Sequence, residues 1–202
     1  MLIILDLGAN DGCSILKFQN LLKDSKKKFK IYSFEPNFFF KEKLDKIKEN
    51  NKNVEIFYKV IGTKNCSTKL YLSQKDNDGS SIYSDKITNK INKSLFIECE
   101  EVDIVEFLHN LPQHDELWIK MDIEGAEYNI ITHLYNNNCI SKIDKLFIEW
   151  HYKKIPSISE KTHNKVYNMV KNIKIFSWDA LDYSEKTNES KEKYKTFLNS
   201  IK

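Results

Sequence analysis

The sequence contains no arginine; all 32 of its basic residues are lysine. No planar guanidinium fork is therefore available to grip a phosphate or carboxylate in bidentate fashion. Concentrated charge is lacking too. The 32 lysines face 29 acids, a net charge of +3, which makes a mixed, solvated surface without the basic stripe that nucleic acid requires. The abundance of Asn, Ile and Lys fits AT-rich coding DNA. The four cysteines, Cys13, Cys66, Cys99 and Cys139, lie far apart and form no CxxC pair, so neither a zinc site nor a disulfide framework is indicated. No apolar run approaches the roughly 18–20 residues that span a bilayer. No charged n-region followed by a long apolar stretch opens the chain. These absences predict a soluble, cytoplasmic protein with reduced thiols and no membrane partner. With neither an internal repeat nor a linker, the 202 residues fit one domain, 1–202, with a sizeable core. Within it, 184–202 is polar enough for a tail helix or a frayed end.

What is present is a globular composition, 41% apolar and 12% aromatic. Short apolar runs alternate with amphipathic stretches. Strands are predicted at 2–7 (LIILDL), 30–35 (KIYSFE), 54–61 (VEIFYKVI), 68–73, 95–102, 117–125 (LWIKMDIEG, a strand into a turn), 145–151 and 173–178. Helical spacing marks 12–25, 37–50, 103–111, 126–138 and 159–172. Phe40, Leu44 and Ile47, for example, recur at i, i+4, i+7. Strands that are near-continuous apolar runs separated by helices imply a parallel sheet covered on both faces. In such sheets ligands gather beyond the carboxyl ends of the strands. The polar residues at those ends are Asp6, Glu35, Asp122 with Glu124, and Glu149 with His151.

The first strand runs into GANDGC at 8–13. Against the dinucleotide fingerprint G-x-G-x-x-G, Asn10 stands at the second glycine position and Cys13 at the third. What remains, G-x-N-x-G, suits a nucleotide ligand without a pyrophosphate. Amides at the following helix N-terminus favour a carboxylate, such as that of S-adenosylmethionine, by about 0.3–1 kcal/mol. Glu35 ends the second strand, 29 residues after Asp6. A carboxylate there can accept both hydroxyls of a ribose. It excludes a 2′-phosphate but fits NAD and S-adenosylmethionine alike.

DLGANDG, FEPN (34–37), KMDIEGAEY (120–128) and IEWH (148–151) together resemble the FkbM-type family of S-adenosylmethionine-dependent methyltransferases. DGSS (78–81) and EEVDIVEFL (100–108) stand where that family has a G-S-S loop and a T-L-D-D-type segment. The resemblance covers residues 2–152, and its motifs are specific in combination. It implies an α/β fold: a class I methyltransferase, Rossmann-like three-layer sandwich. The sheet would be mostly parallel with an antiparallel edge strand, and a small β insert would follow the third strand. It implies S-adenosyl-L-methionine as cofactor, held by Asp6, Gly8, Ala9, Asn10, Gly12, Glu35, Pro36, Ile61 and Asp122, with Val60 to Gly62 beside the adenine. Two departures stand out: no acid follows the third strand, and the T-L-D-D-type segment reads EVDI.

Methyl transfer to a hydroxyl needs alignment and a base. Alternation in the extended KMDIEG stretch puts Lys120, Asp122 and Glu124 on one side, with Asp122 at the strand tip where the donor methyl would lie. Asp122, His151 and Glu149 are the candidate catalytic residues. His151 beside a carboxylate is a candidate general base, and Lys120 reads as a counter-ion for a neighbouring acid. The sequence requires no metal, although Asp122, Glu149 and His151 could hold a divalent ion. Ser80, Ser81, Glu124, Tyr152 and Lys153 are the candidate contacts for the acceptor. The expected activity is O-methylation of a small-molecule or glycan hydroxyl. The alternatives are an RNA 2′-O-methyltransferase, a non-catalytic S-adenosylmethionine-binding subunit, and an NAD-dependent oxidoreductase. The first uses a Lys-Asp-Lys-Glu set whose leading lysine has no place before a strand that begins at residue 2, and the last is disfavoured by Asn10 and Cys13. With no N-terminal extension, the acceptor site is expected to be open or completed by another domain or subunit, as in a homodimer.

Overall fold

The computed structural model describes residues 1–73, 78–88 and 91–178. In chain order its elements are β1 (Leu2–Leu7), α1 (Cys13–Leu22), β2 (Phe29–Phe34), α2 (Lys41–Asn50), β3 (Val54–Phe57), β4 (Val60–Gly62), β5 (Cys66–Ser73) and β6 (Ile91–Asp103). There follow α3 (Ile104–His109), β7 (Glu116–Met121), α4 (Glu127–Asn136), β8 (Lys145–Ile148), α5 (Glu160–Val170) and β9 (Lys174–Ser177). Three 3-10 turns, Phe38–Phe40, Ile140–Lys142 and Tyr152–Lys154, lie between them.

β1 is buried at all six positions, so both of its faces need covering. Its alternation does this. Ile3, Leu5 and Leu7 join a core with Ile130 and Leu134 of α4 and Val166 and Val170 of α5. Leu2 and Ile4 join another with Ile15 and Phe18 of α1 and Leu44 and Ile47 of α2. The result is helices on both sides of a six-stranded sheet of order β3-β2-β1-β7-β8-β9, parallel at every pairing. The strand order reverses between β1 and β7, which opens a crevice at their carboxyl ends.

The expected insert is present as a second sheet of order β4-β6-β5, with β4 parallel and β5 antiparallel to β6. Two details differ from the sequence expectation. The run 54–61 is not one strand: Val54–Phe57 pair with β2, whereas Val60–Gly62 leave the main sheet to pair with β6. The antiparallel edge strand is not found in the main sheet among the described residues; β9 forms that edge and runs parallel to β8. The 184–202 tail lies outside the described residues. Among the described residues no helix is long and apolar enough to cross a membrane, and all four cysteines are free thiols.

Candidate active site

Past the end of β1, Gly8 adopts φ 81, and a Cβ there would lie 2.0 Å from the carbonyl oxygen of Asp122. Only glycine lets the loop pass so close to the end of β7. The amides of Gly8 and Ala9 both donate to the Phe34 carbonyl, each at 3.0 Å, which fixes the loop on the tip of β2. Asn10 then takes a left-handed conformation, φ 48, one that Asn tolerates better than most residues. So Asn10 takes a backbone form that glycine adopts most easily and adds a side chain that donates to Asp78 Oδ1 at 2.7 Å. Its amide donates to Glu35 Oε2 at 2.8 Å, and the Asn37 amide donates to Oε1 at 2.8 Å. Burial pushes the Glu35 carboxyl up to about 7, against the pull of these two N–H groups and of Lys120.

Beneath the loop the strand register aligns Ser33 on β2, Asp6 on β1 and Lys120 on β7 in one row. Asp6 Oδ2 accepts from Ser14 Oγ at 2.7 Å and Ser33 Oγ at 3.2 Å, and Lys120 Nζ stands 3.4 Å from Oδ1. Lys120 also donates to the Gly8 and Leu7 carbonyls. Burial alone would lower its pKa, but Asp6 and Asp122 outweigh that and raise it. Lys120 is thus the buried counter-ion anticipated from the sequence.

After β7 the chain turns through Glu124 (φ 54) and Gly125 (φ 114) into α4. Glu127, fully buried, closes this turn: Oε1 accepts from the Ile123 amide at 3.0 Å and Oε2 from the Gly125 amide at 2.9 Å. Oε1 also receives His151 Nδ1 at 2.9 Å. The other ring nitrogen, Nε2, lies 3.2 Å from Glu124 Oε2, 3.2 Å from Glu149 Oε1 and 3.7 Å from Asp122 Oδ1. Burial would lower the imidazole pKa; Glu127, Glu149 and Glu124 outweigh it and push it up to about 11. Burial pushes the Asp122 carboxyl up to about 7, with Lys120 opposing and Glu149 adding to the rise. Two lysines cap the cluster, Lys154 at 2.6 Å from Glu149 Oε1 and the buried Lys86 at 2.7 Å from Glu124 Oε2.

These groups surround a cleft of about 670 Å³ at the carboxyl ends of β1, β2 and β7. Of the residues expected to hold a donor, Gly8, Ala9, Asn10, Glu35, Pro36, Ile61 and Asp122 line it. Asp6 and Gly12 do not. Asp6 lies below, committed to Ser14, Ser33 and Lys120, and Gly12 caps α1 against Ile47 and Leu44. Of the acceptor candidates, Ser80, Ser81 and Glu124 line the cleft. Tyr152 and Lys153 must be corrected. They sit in a 3-10 turn, where successive side chains step about 120° around the axis. Tyr152 stacks on His163 at 4.2 Å, Lys153 points to solvent, and Lys154 turns to the cleft instead. Asp122 and Glu149 line the cleft as expected of catalytic residues. His151 does not: it has no exposed surface, and its ring lies behind the cleft wall, enclosed by Glu124, Glu127 and Glu149. Lys86, Lys154 and Asp78 were not singled out: the two lysines are unmarked among 32, and in DGSS the acceptor reading extends only to Ser80 and Ser81. Trp178, which also lines the cleft, follows the end of β9, so the strand-end rule could have found it.

The family model described as Methyltransferase FkbM domain matches residues 6–174. The crystal structure of a methyltransferase FkbM from Methylobacillus flagellatus KT aligns with a TM-score of 0.53 at 15% sequence identity, covering 84% of this chain and 37% of that one. At that identity the likeness is one of fold, and this chain spans well under half the length of that protein. No curated protein matches the chain.

Proposed function

The chain belongs to the FkbM methyltransferase domain family, and from that premise we propose that it transfers a methyl group from S-adenosylmethionine to a hydroxyl, that of a sugar or glycan. The observation that carries the reading is that one cleft joins the Gly8–Asn10 loop and Glu35 on one side to Asp122 and Glu149 on the other. Its volume of about 670 Å³ falls in the range of roughly 300–1,000 Å³ typical of small-ligand sites. Glu35 would accept the ribose hydroxyls, and the loop would pass against the nucleoside and methionine parts of the donor.

In the transfer, a lone pair of the acceptor oxygen attacks the sulfonium methyl carbon. The carbon–sulfur bond breaks with its electrons going to sulfur, and the hydroxyl proton goes to a base. Alignment of oxygen, carbon and sulfur is the larger contribution, worth up to roughly 7–11 kcal/mol. Asp122 is the base by placement: it opens on the cleft, whereas His151 is sealed behind it. His151 and Glu127 hold the turn that presents Asp122. The cleft carries six carboxylates, Asp11, Glu35, Asp78, Asp122, Glu124 and Glu149, against Lys59, Lys120 and Lys154. That balance favours a neutral hydroxyl acceptor over a polyanion such as RNA.

Calorimetry with S-adenosylmethionine and NAD, followed by a methyl-release screen over glycans, small alcohols and capped RNA, tests the reading. The expected result is binding of S-adenosylmethionine alone and turnover on a glycan or alcohol. Asp122→Asn should lower kcat by about 10²–10⁴-fold with donor affinity changed only a few-fold. Binding of NAD without S-adenosylmethionine would overturn it.

A further inference from the structure

The second half of the cleft holds an arrangement that methyl transfer by a carboxylate base does not call for. His151 is completely buried. Its Nδ1–H is committed to Glu127 Oε1 at 2.9 Å, which fixes the ring and turns Nε2 towards the cleft wall. Among the described residues Nε2 has no hydrogen-bond partner of good geometry. Carboxylate oxygens stand close by, at 3.2 Å (Glu149 and Glu124) and 3.7 Å (Asp122). The nitrogen and these oxygens converge on a shared point rather than on one another.

We propose that Asp122, Glu149 and His151 bind one divalent metal ion of the manganese or magnesium class. One ligand atom from each lies within 4.8 Å of the others. Ligands about 2.1 Å from an ion, at right angles, stand about 3 Å apart, close to the 3.2 and 3.7 Å from Nε2 to Glu149 and Asp122. A carboxylate that orients the far nitrogen of a ligating histidine, as Glu127 does here, is the usual support of a metal-bound imidazole. Two carboxylates and one imidazole favour a hard ion that also accepts nitrogen, which suits manganese. The open side faces the cleft, where an acceptor oxygen or water would complete the coordination. Lys154, 2.6 Å from the same Glu149 oxygen, is the cation the ion must displace or share with, and the ion takes the place of the proton on His151 Nε2, which leaves to solvent. An acceptor hydroxyl bound to the ion would lose its proton more readily. That role rests on the methyl-transfer reading; the site itself does not.

The test uses the full chain, freed of metal by a chelator and titrated with Mn²⁺. Loss of the free-ion EPR signal counts bound ions, and pulsed EPR detects nitrogen bound to them. One ion per chain is expected, with nitrogen modulation from one imidazole. Glu149→Gln and Asp122→Asn should each weaken binding by about tenfold or more, and Lys154→Met should tighten it. Circular dichroism confirms that each variant is folded, and the nitrogen signal of the unmodified chain needs no variant. No binding at millimolar Mn²⁺, binding without nitrogen modulation, or binding indifferent to both acid substitutions would overturn the proposal. Donor binding measured by calorimetry on the chelated protein keeps that failure distinct from failure of the methyl-transfer reading.

Discussion

Glu35 is a buried carboxylate whose two oxygens each receive a backbone N–H, and burial holds its carboxyl near 7 rather than at the ordinary 4.5. In the proposed reading only the ionised form can accept both ribose hydroxyls. Donor affinity should therefore rise by about tenfold between pH 6 and pH 8, as calorimetry across that range would read. The donor-free protein should behave in the opposite sense. From about 4.5 to 7 the folded state keeps a proton that the unfolded chain has already lost, so stability falls as pH rises through that window. Glu35→Gln should flatten the affinity profile and weaken donor binding, while the stability profile keeps the share due to Asp122, whose carboxyl burial also pushes up to about 7. Asn10 shows the same economy at one position, with a left-handed backbone, an amide on Glu35 and a side chain on Asp78.

At the scale of elements, the turn between β7 and α4 depends on the first residue of the helix that follows it. Glu127 gathers two turn amides and the His151 ring inside the protein. Removing one partner of a buried ion pair leaves the other charge uncompensated. Glu127→Ala should cost roughly 3–5 kcal/mol, visible as a lowered melting temperature with a cooperative transition retained. The loop carrying Ser80 and Ser81 is tied to the same turn. Ser81 Oγ donates to the Glu124 carbonyl at 2.6 Å, and Lys86 bridges the Gly79 carbonyl to the Glu124 carboxylate. The Gly8–Asn10 loop, the Gly79–Ser81 loop and the turn after β7 are therefore tied together by short polar contacts.

Across the whole molecule, two cores clamp a parallel sheet whose carboxyl edge is the cleft. A ligand that enters this cleft binds only the folded state. S-adenosylmethionine at a hundred times its Kd should stabilise the fold by about 2.7 kcal/mol. For a domain of this size that is a melting shift of roughly 5–10 °C, and NAD at the same concentration should give none. Thermal melting with each ligand checks this directly.

The alternation within LIILDL, the spacing of Leu44 and Ile47, and the acids at strand ends carried the layer arrangement and the position of the cleft, because burial on two faces and helical period are written locally. Gly8, Asn10, Glu35 and Asp122 were legible as cleft-lining positions for the same reason: each sits within three residues of the end of an apolar run. What the sequence could not decide was which way a side chain turns once the chain leaves a strand. The single run 54–61 was divided between two sheets by pairing with β6, a partner about forty residues away. Tyr152 and Lys153 turned away from the cleft, one onto His163 and the other to solvent, because a 3-10 turn, not an extended chain, follows β8. His151 was withdrawn from the cleft surface because Glu124, Glu127 and Glu149, drawn from two separate segments, close around it. Local pattern determines the frame, whereas charge state and orientation depend on neighbours that only the folded chain brings together.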